Sequence, residues 1–196
     1  MASDIIRILV FAGSTREGSL CRKLASAAAN AVREAGGEAT LVELRDLPMP
    51  LYDADLQARE GFPENVHTFR ALVASHDGFL IVTPEYNHGI SGVLKNALDW
   101  ASRGEGAKPV GVLFRGKPAV ILSAAPGVYG GVRALIQLRA ILAALDLLVL
   151  PEQRALARAK SAFHEDGSLV DPKIETEVLS LTHRLVELAV RLEGKG

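Results

Sequence analysis

The chain has 196 residues, 48% of them hydrophobic and 23% charged, which suits one globular domain able to bury a full core without staples. A formal net charge of −1 offers no long-range attraction to nucleic acid or to an anionic membrane. The single cysteine, Cys21, excludes an intrachain disulfide and fits a reducing cytoplasm.

Residues 5–11 are nearly all apolar, as a strand buried on both faces must be. That run starts so early that no secretory leader is expected. The loop after it, Gly13-Ser14-Thr15-Arg16-Glu17-Gly18-Ser19, has the G-x-x-x-x-G spacing of a triphosphate-binding loop. Ser19, however, stands where that motif needs the lysine that holds the outer phosphates. Three hydroxyls, a guanidinium and the start of a helix remain. Helix N-termini favour anions, and arginine grips phosphate oxygens in a fork. The loop reads as a cradle for one monophosphate.

Residues 19–35 form an alanine-rich helix closed by Gly36-Gly37. Residues 38–44 make a second strand, and 45–63, with three prolines, a long loop of the kind that carries function. A helix over 64–75, a strand over 78–82 and a helix over 91–102 capped by Ser91 follow. Residues 117–122 form the fourth strand, 131–144 a helix and 147–150 a short fifth strand. A terminal helix covers 174–192, with apolar residues at helical spacing. The apolar stretch 140–150 is interrupted by Asp146 and is too short for a bilayer. Strands alternating with helices predict an α/β fold with a five-stranded parallel sheet covered on both faces. At this length a flavodoxin-like doubly wound sheet, in the order 2-1-3-4-5, fits better than a (β/α)₈ barrel.

Ligands of such sheets lie beyond the carboxyl ends of the strands. Three loops fall there: 13–19, 83–91 and 123–131. The second joins Pro84, Glu85, Tyr86 and Asn87, and the third is small-residue backbone around Ser123, Ala124 and Gly127. A phosphate loop, a proline–aromatic loop and a loop that a ring can approach closely suit a phosphorylated planar cofactor such as flavin mononucleotide (FMN).

Four motifs carry a family resemblance: G-S-x-R-x-x-S at 13–19, Leu51-Tyr52-Asp53-Ala54-Asp55, Pro84-Glu85-Tyr86-Asn87, and Leu94-Lys95-Asn96-Ala97-Leu98-Asp99-Trp100. With them the chain resembles the NADPH-dependent FMN reductases, flavodoxin-like oxidoreductases that include quinone, chromate and azo-dye reductases. The resemblance implies FMN as cofactor, with Ser14, Arg16 and Ser19 on its phosphate. The cofactor-binding set becomes Gly13, Ser14, Arg16, Ser19, Leu20, Cys21, Pro84, Glu85, Tyr86, Asn87, Ser123, Ala124 and Gly127. It also implies NADPH or NADH as hydride donor, a small-molecule acceptor, and a homodimer or dimer of dimers. The 94–100 helix and the loop around Tyr52 are then candidate contact patches. Two departures stand out. Cys21 replaces an asparagine usual in the family, and Ala124-Ala125 replaces positions often Ser or Gly, leaving contacts there to the backbone.

Each residue also has a plainer reading. Lys95 and Asp99 are spaced for a surface ion pair, and Trp100 for packing within the chain or across a dimer. The five histidines share no metal-ligand spacing, so no metal is assigned. Cys21 falls in a first helical turn, where a dipole lowers a thiol pKa, but with no second cysteine a packed thiol is preferred. Hydride transfer through a flavin needs no catalytic side chain. A flavodoxin-type electron carrier is the rival function; such carriers are markedly acidic, and this chain is near neutral. A non-redox binding protein on the same fold is the third reading.

Overall fold

The computed structural model describes residues 5–106 and 109–194. Its elements run β1 (Arg7–Ala12), α1 (Leu20–Glu34), β2 (Glu38–Glu43), a 3₁₀ turn (Leu44–Asp46), α2 (Ala54–Glu60), α3 (Glu64–Ser75), β3 (Gly78–Thr83) and α4 (Gly92–Ser102). They continue through β4 (Pro118–Ala124), α5 (Val132–Ala144), β5 (Leu148–Val149), β6 (Arg154–Leu156), a second 3₁₀ turn (Ala159–Ser161) and α6 (Pro172–Leu192). The sheet is parallel, in the order β2-β1-β3-β4-β5, with β6 also paired to β4.

Side chains alternate across a strand, so each central strand feeds two cores. Ile8, Val10, Leu80, Val82, Val120 and Leu122 point to one face, where α1 and α6 close over them with Leu24, Ala28, Leu185 and Ala189. Leu9, Phe11, Phe79, Ile81 and Ile121 point to the other, under Phe69 of α3, Leu94 and Leu98 of α4, and Leu138 of α5. Phe11 and Phe69 meet edge-on at 5.5 Å, a geometry aromatic quadrupoles favour.

Two expectations need correction. The segment 45–63 is not one long loop: it contains α2, capped by Asp53, whose carboxylate accepts from the N–H groups of Asp55 (2.8 Å) and Leu56 (3.3 Å). None of its residues is buried, so it shows no apolar periodicity. The fifth strand is split. β5 pairs with Pro118 and Ala119, and β6 with 122–124, on either side of Pro151, which has no N–H for the ladder. Arg139 covers the outer side of this break, donating to the carbonyls of Val149 and Pro151.

The register places the carboxyl ends of β1, β3 and β4 together, Ala12 beside Val82 and Thr83 beside Ser123. Gly13 N–H donates to the Val82 carbonyl at 2.8 Å. The loops that follow these strands therefore share one rim.

Candidate functional site

The first loop opens on a close approach. A Cβ on Gly13 would sit 2.8 Å from the Leu94 Cβ and 3.1 Å from the Ser91 hydroxyl, so α4 can lie this near only a glycine. The Ser91 hydroxyl caps α4 at Leu94 N–H and donates to the Gly13 carbonyl, which ties the first loop to the second.

Several donors of this loop are spent on no protein acceptor among the described residues. Ser14 is buried to 4% exposure, yet its hydroxyl makes no hydrogen bond to the chain. The Ser19 oxygen accepts from Arg22 N–H at 3.3 Å as the cap of α1, leaving its own proton to donate. The N–H groups of Leu20 and Cys21, the first two of the helix, have no carbonyl one turn back to reach. The Arg16 guanidinium has no ion pair among the described residues. Unsatisfied donors concentrated on one turn match a phosphate dianion in charge and in hydrogen-bonding sense.

Cys21 points the other way. It is buried, and its thiol donates to the Ala124 carbonyl at 3.3 Å. Burial pushes this thiol up to about 11, against smaller opposing effects of that hydrogen bond and of Arg16. The helix dipole loses to desolvation, and the packed reading holds. Cys21 thus offers the loop its N–H and fastens α1 to the end of β4.

In the second loop, Pro84 is buried and Tyr86 is 53% exposed. Tyr86 and Gly89 exchange two backbone hydrogen bonds of 3.0 Å, closing a turn with Asn87 at φ 49° and His88 at φ 67°. Two left-handed central residues are what a type I′ turn requires, and non-glycine residues there store strain. Gln137 of α5 pins the turn by accepting from Ile90 N–H at 2.7 Å. The Glu85 carboxylate turns away from the rim. It accepts from the N–H groups of Arg133 (3.0 Å) and Ala134 (3.3 Å) at the start of α5 and meets the Arg133 guanidinium at 2.7 Å. Burial opposes its charge, but these donors outweigh that and hold it below the usual carboxylate range. Glu85 therefore locks a loop in place rather than offering a carboxylate to a ligand.

Ser123, in β4 just before the third loop, is likewise committed. Fully buried, its hydroxyl donates to the Gly130 carbonyl at 2.8 Å. Gly130 has φ 61°, and a Cβ there would lie 2.7 Å from Ala157 N, so only glycine lets the loop rest on the backbone after β6. Ala124 is buried. Gly127 is exposed, with open space where a Cβ would project. The N–H groups of Asn87 and Gly127 donate to no acceptor among the described residues. The rim thus brings the donors of the 13–19 loop and the backbone of 84–87 and 124–127 together, while the side chains of Cys21, Glu85 and Ser123 serve the scaffold.

Sequence reading assigned no role to Asn96, and it has one. Its amide donates to the Pro50 carbonyl (2.8 Å) and accepts from Tyr52 N–H (2.8 Å). Trp100 Nε1 donates to the same Pro50 carbonyl at 2.8 Å, and Tyr52 stacks edge-on to the Trp100 ring at 5.0 Å. Two motifs separate in sequence are the two halves of one lock beside the phosphate loop. Their partners lie more than forty residues apart, so no local pattern announces the contact. The 94–100 helix spends its apolar face inside the chain and leaves Lys95 on its outer face. Leu94, Ala97, Leu98 and Trp100 are buried within the chain, whereas Leu51 on the loop is 81% exposed. Lys95 and Asp99 form the expected pair at 2.7 Å.

Comparison with known proteins places the chain in a family. The sequence profile of the NADPH-dependent FMN reductases matches residues 6–161. An NAD(P)H-dependent FMN reductase of Pseudomonas aeruginosa is 39% identical, over 96% of this chain and 97% of the relative. A probable NADPH:quinone oxidoreductase of rice (Oryza sativa subsp. japonica) is 35% identical, over 97% and 92%. Among solved structures, the flavoenzyme NAD(P)H:(acceptor) oxidoreductase of Paracoccus denitrificans superposes with a TM-score of 0.81 at 28% identity, over 95% of this chain and 98% of that one. The chain belongs to the NADPH-dependent FMN reductase family and is an oxidoreductase of the flavodoxin-like fold.

Proposed function

We propose that this family member is an NAD(P)H-dependent FMN reductase that passes electrons to quinones or comparable small acceptors. The observation that carries this reading is the phosphate loop, whose donors are concentrated on one turn and left unspent by the protein. Ser14, Arg16, Ser19 and the N–H groups of Leu20 and Cys21 would hold the FMN phosphate. Pro84, Tyr86, Asn87, Ala124 and Gly127 would line the rest of the cofactor, mainly through backbone. When bound, FMN supplies acceptance of hydride from NAD(P)H and delivery of electrons to the acceptor.

What the chain supplies is placement. Glu85, held by α5, fixes the proline–aromatic loop. Ser123 fixes the small-residue loop, and Ser91 and Cys21 tie both to the phosphate turn. The N–H groups of Asn87 and Gly127 stand ready to meet negative charge without reorganising. No described side chain needs to move a proton.

A homodimer or dimer of dimers is part of the reading, supported by exposed Leu51, Val128, Tyr129 and Ile136. A cytoplasmic setting is supported by the single, buried, reduced cysteine. Among the described residues no helix is long and apolar enough to cross a membrane.

The test is a comparison of FMN with riboflavin, which lacks the phosphate. FMN should bind more tightly, and Arg16→Ala should weaken FMN by about 1.5–3 kcal/mol, the scale of a charge-assisted hydrogen bond, while leaving riboflavin unchanged. Equal losses for both flavins, or none, would remove the phosphate assignment.

A further inference from the structure

A cavity of about 370 Å³ adjoins the phosphate loop without using any residue assigned to FMN. Thr15 forms one wall. Leu44, Leu47, Pro48 and Met49, from the segment after β2, form another, and Val93, Asn96 and Ala97 of α4 close the floor. Arg45 stands in its lining. The polar groups divide cleanly. Asn96 is spent on the backbone of 49–52, and the Thr15 hydroxyl makes no hydrogen bond among the described residues. The Arg45 guanidinium has one loose ion pair, 3.6 Å to the carboxylate of Glu17, whose side chain is 88% exposed and free to swing into solvent.

This is an apolar slot with one available guanidinium and one hydroxyl, opening beside a site for a flavin. Resting on the flavin reading above, we propose that it takes the adenosine end of NADPH. The adenine would lie against Leu47, Met49 and Val93, with the 2′-phosphate on Arg45 and Thr15. Charge and position together select this occupant. The cavity between α1 and α6 is lined by Glu34, Asp166 and Glu175, which repel a phosphate. The one beside β5 carries Arg191 and the Glu152-paired Arg184, but Glu187 lines the same walls and none of the three rim loops reaches it. Arg59, the other arginine of the 45–63 segment, lies on α2, pairs with its neighbour Glu60 and does not line the slot. Arg45 is thereby assigned the preference for NADPH over NADH, two molecules that differ only in that phosphate.

The FMN-loaded full chain is assayed with each nucleotide in the wild type, Arg45→Gln and Arg59→Gln. Adenosine 2′,5′-bisphosphate and 5′-AMP are titrated calorimetrically into the same proteins with and without FMN. Arg45→Gln should raise the KM for NADPH roughly 10- to 100-fold, the value of a lost charged contact. It should hold kcat, move the KM for NADH less than twofold, and abolish preferential binding of the bisphosphate. Arg59→Gln should change none of these. An equal rise for both nucleotides, an unchanged NADPH KM, or bisphosphate binding indifferent to Arg45 would overturn the proposal. So would a loss of FMN affinity in Arg45→Gln, which would give the slot to the flavin phosphate instead. Should the wild type bind no FMN, the flavin reading fails by itself, while the bisphosphate titration of the flavin-free chain still tests the slot.

Discussion

At the residue scale, desolvation decides more than position in the helix. Cys21 lies in the first turn of α1, where the dipole favours a thiolate, but the turn is covered and the thiol rises to about 11. The group therefore holds its proton more tightly folded than unfolded. Its contribution to stability is intact below pH 9, the ordinary thiol value, and is lost as pH climbs through 11, at up to about 1.4 kcal/mol per unit. Denaturant titrations of wild type and Cys21→Ala should show this as an extra loss of wild-type stability between pH 9 and 11. Parallel pH curves for the two proteins would contradict it. At neutral pH the native thiol should also react sluggishly with alkylating reagents. Ser14 teaches the same lesson with the opposite outcome. The residue is largely buried, but its hydroxyl is not sealed from solvent and is spent on no protein acceptor among the described residues, so it stays available to a ligand.

At the element scale, the rim is made by short ties between loops. Ser91 links the phosphate turn to α4, Glu85 links the proline–aromatic loop to α5, and Asn96 with Trp100 holds the 49–52 segment against α4. Asn96→Ala leaves the Tyr52 N–H without its partner and takes away one of two donors to Pro50. It should cost about 1–3 kcal/mol in a denaturant titration and raise protease sensitivity around residues 49–60. Unchanged stability would show that the lock contributes nothing.

These ties also mark how far sequence reading reached. The 13–19 loop was legible as a donor-rich strand-to-helix turn because its glycine spacing, hydroxyls and following helix are all local. Helix α2 was not, because a helix with no buried face leaves no period to read, and the Asp53 cap was lost among prolines. β6, three residues with no alternation to detect, was invisible for the same reason. Glu85 was placed by its motif and Ser123 by its position at the end of the fourth strand. Their side-chain partners, on α5 and on the Gly130 turn, could be found only in three dimensions.

At the scale of the whole molecule, strand order does the organising. Parallel strands in the order β2-β1-β3-β4-β5 carry three chemically unlike loops to one edge, and α1 and α6 on one face and α3, α4 and α5 on the other bury the sheet that supports it. Rigidity at the rim and apolar cover elsewhere are what a protein needs if its chemistry belongs to a bound cofactor. The near-neutral charge fits small-molecule partners better than a docking electron carrier. The most direct test is to load the full chain with FMN, exclude oxygen and add NADPH. The visible flavin absorbance should bleach and then return when a quinone is added. Bound flavin that stays oxidised with NADPH would make the protein a carrier, and a chain that binds no FMN at all would contradict the account at its root.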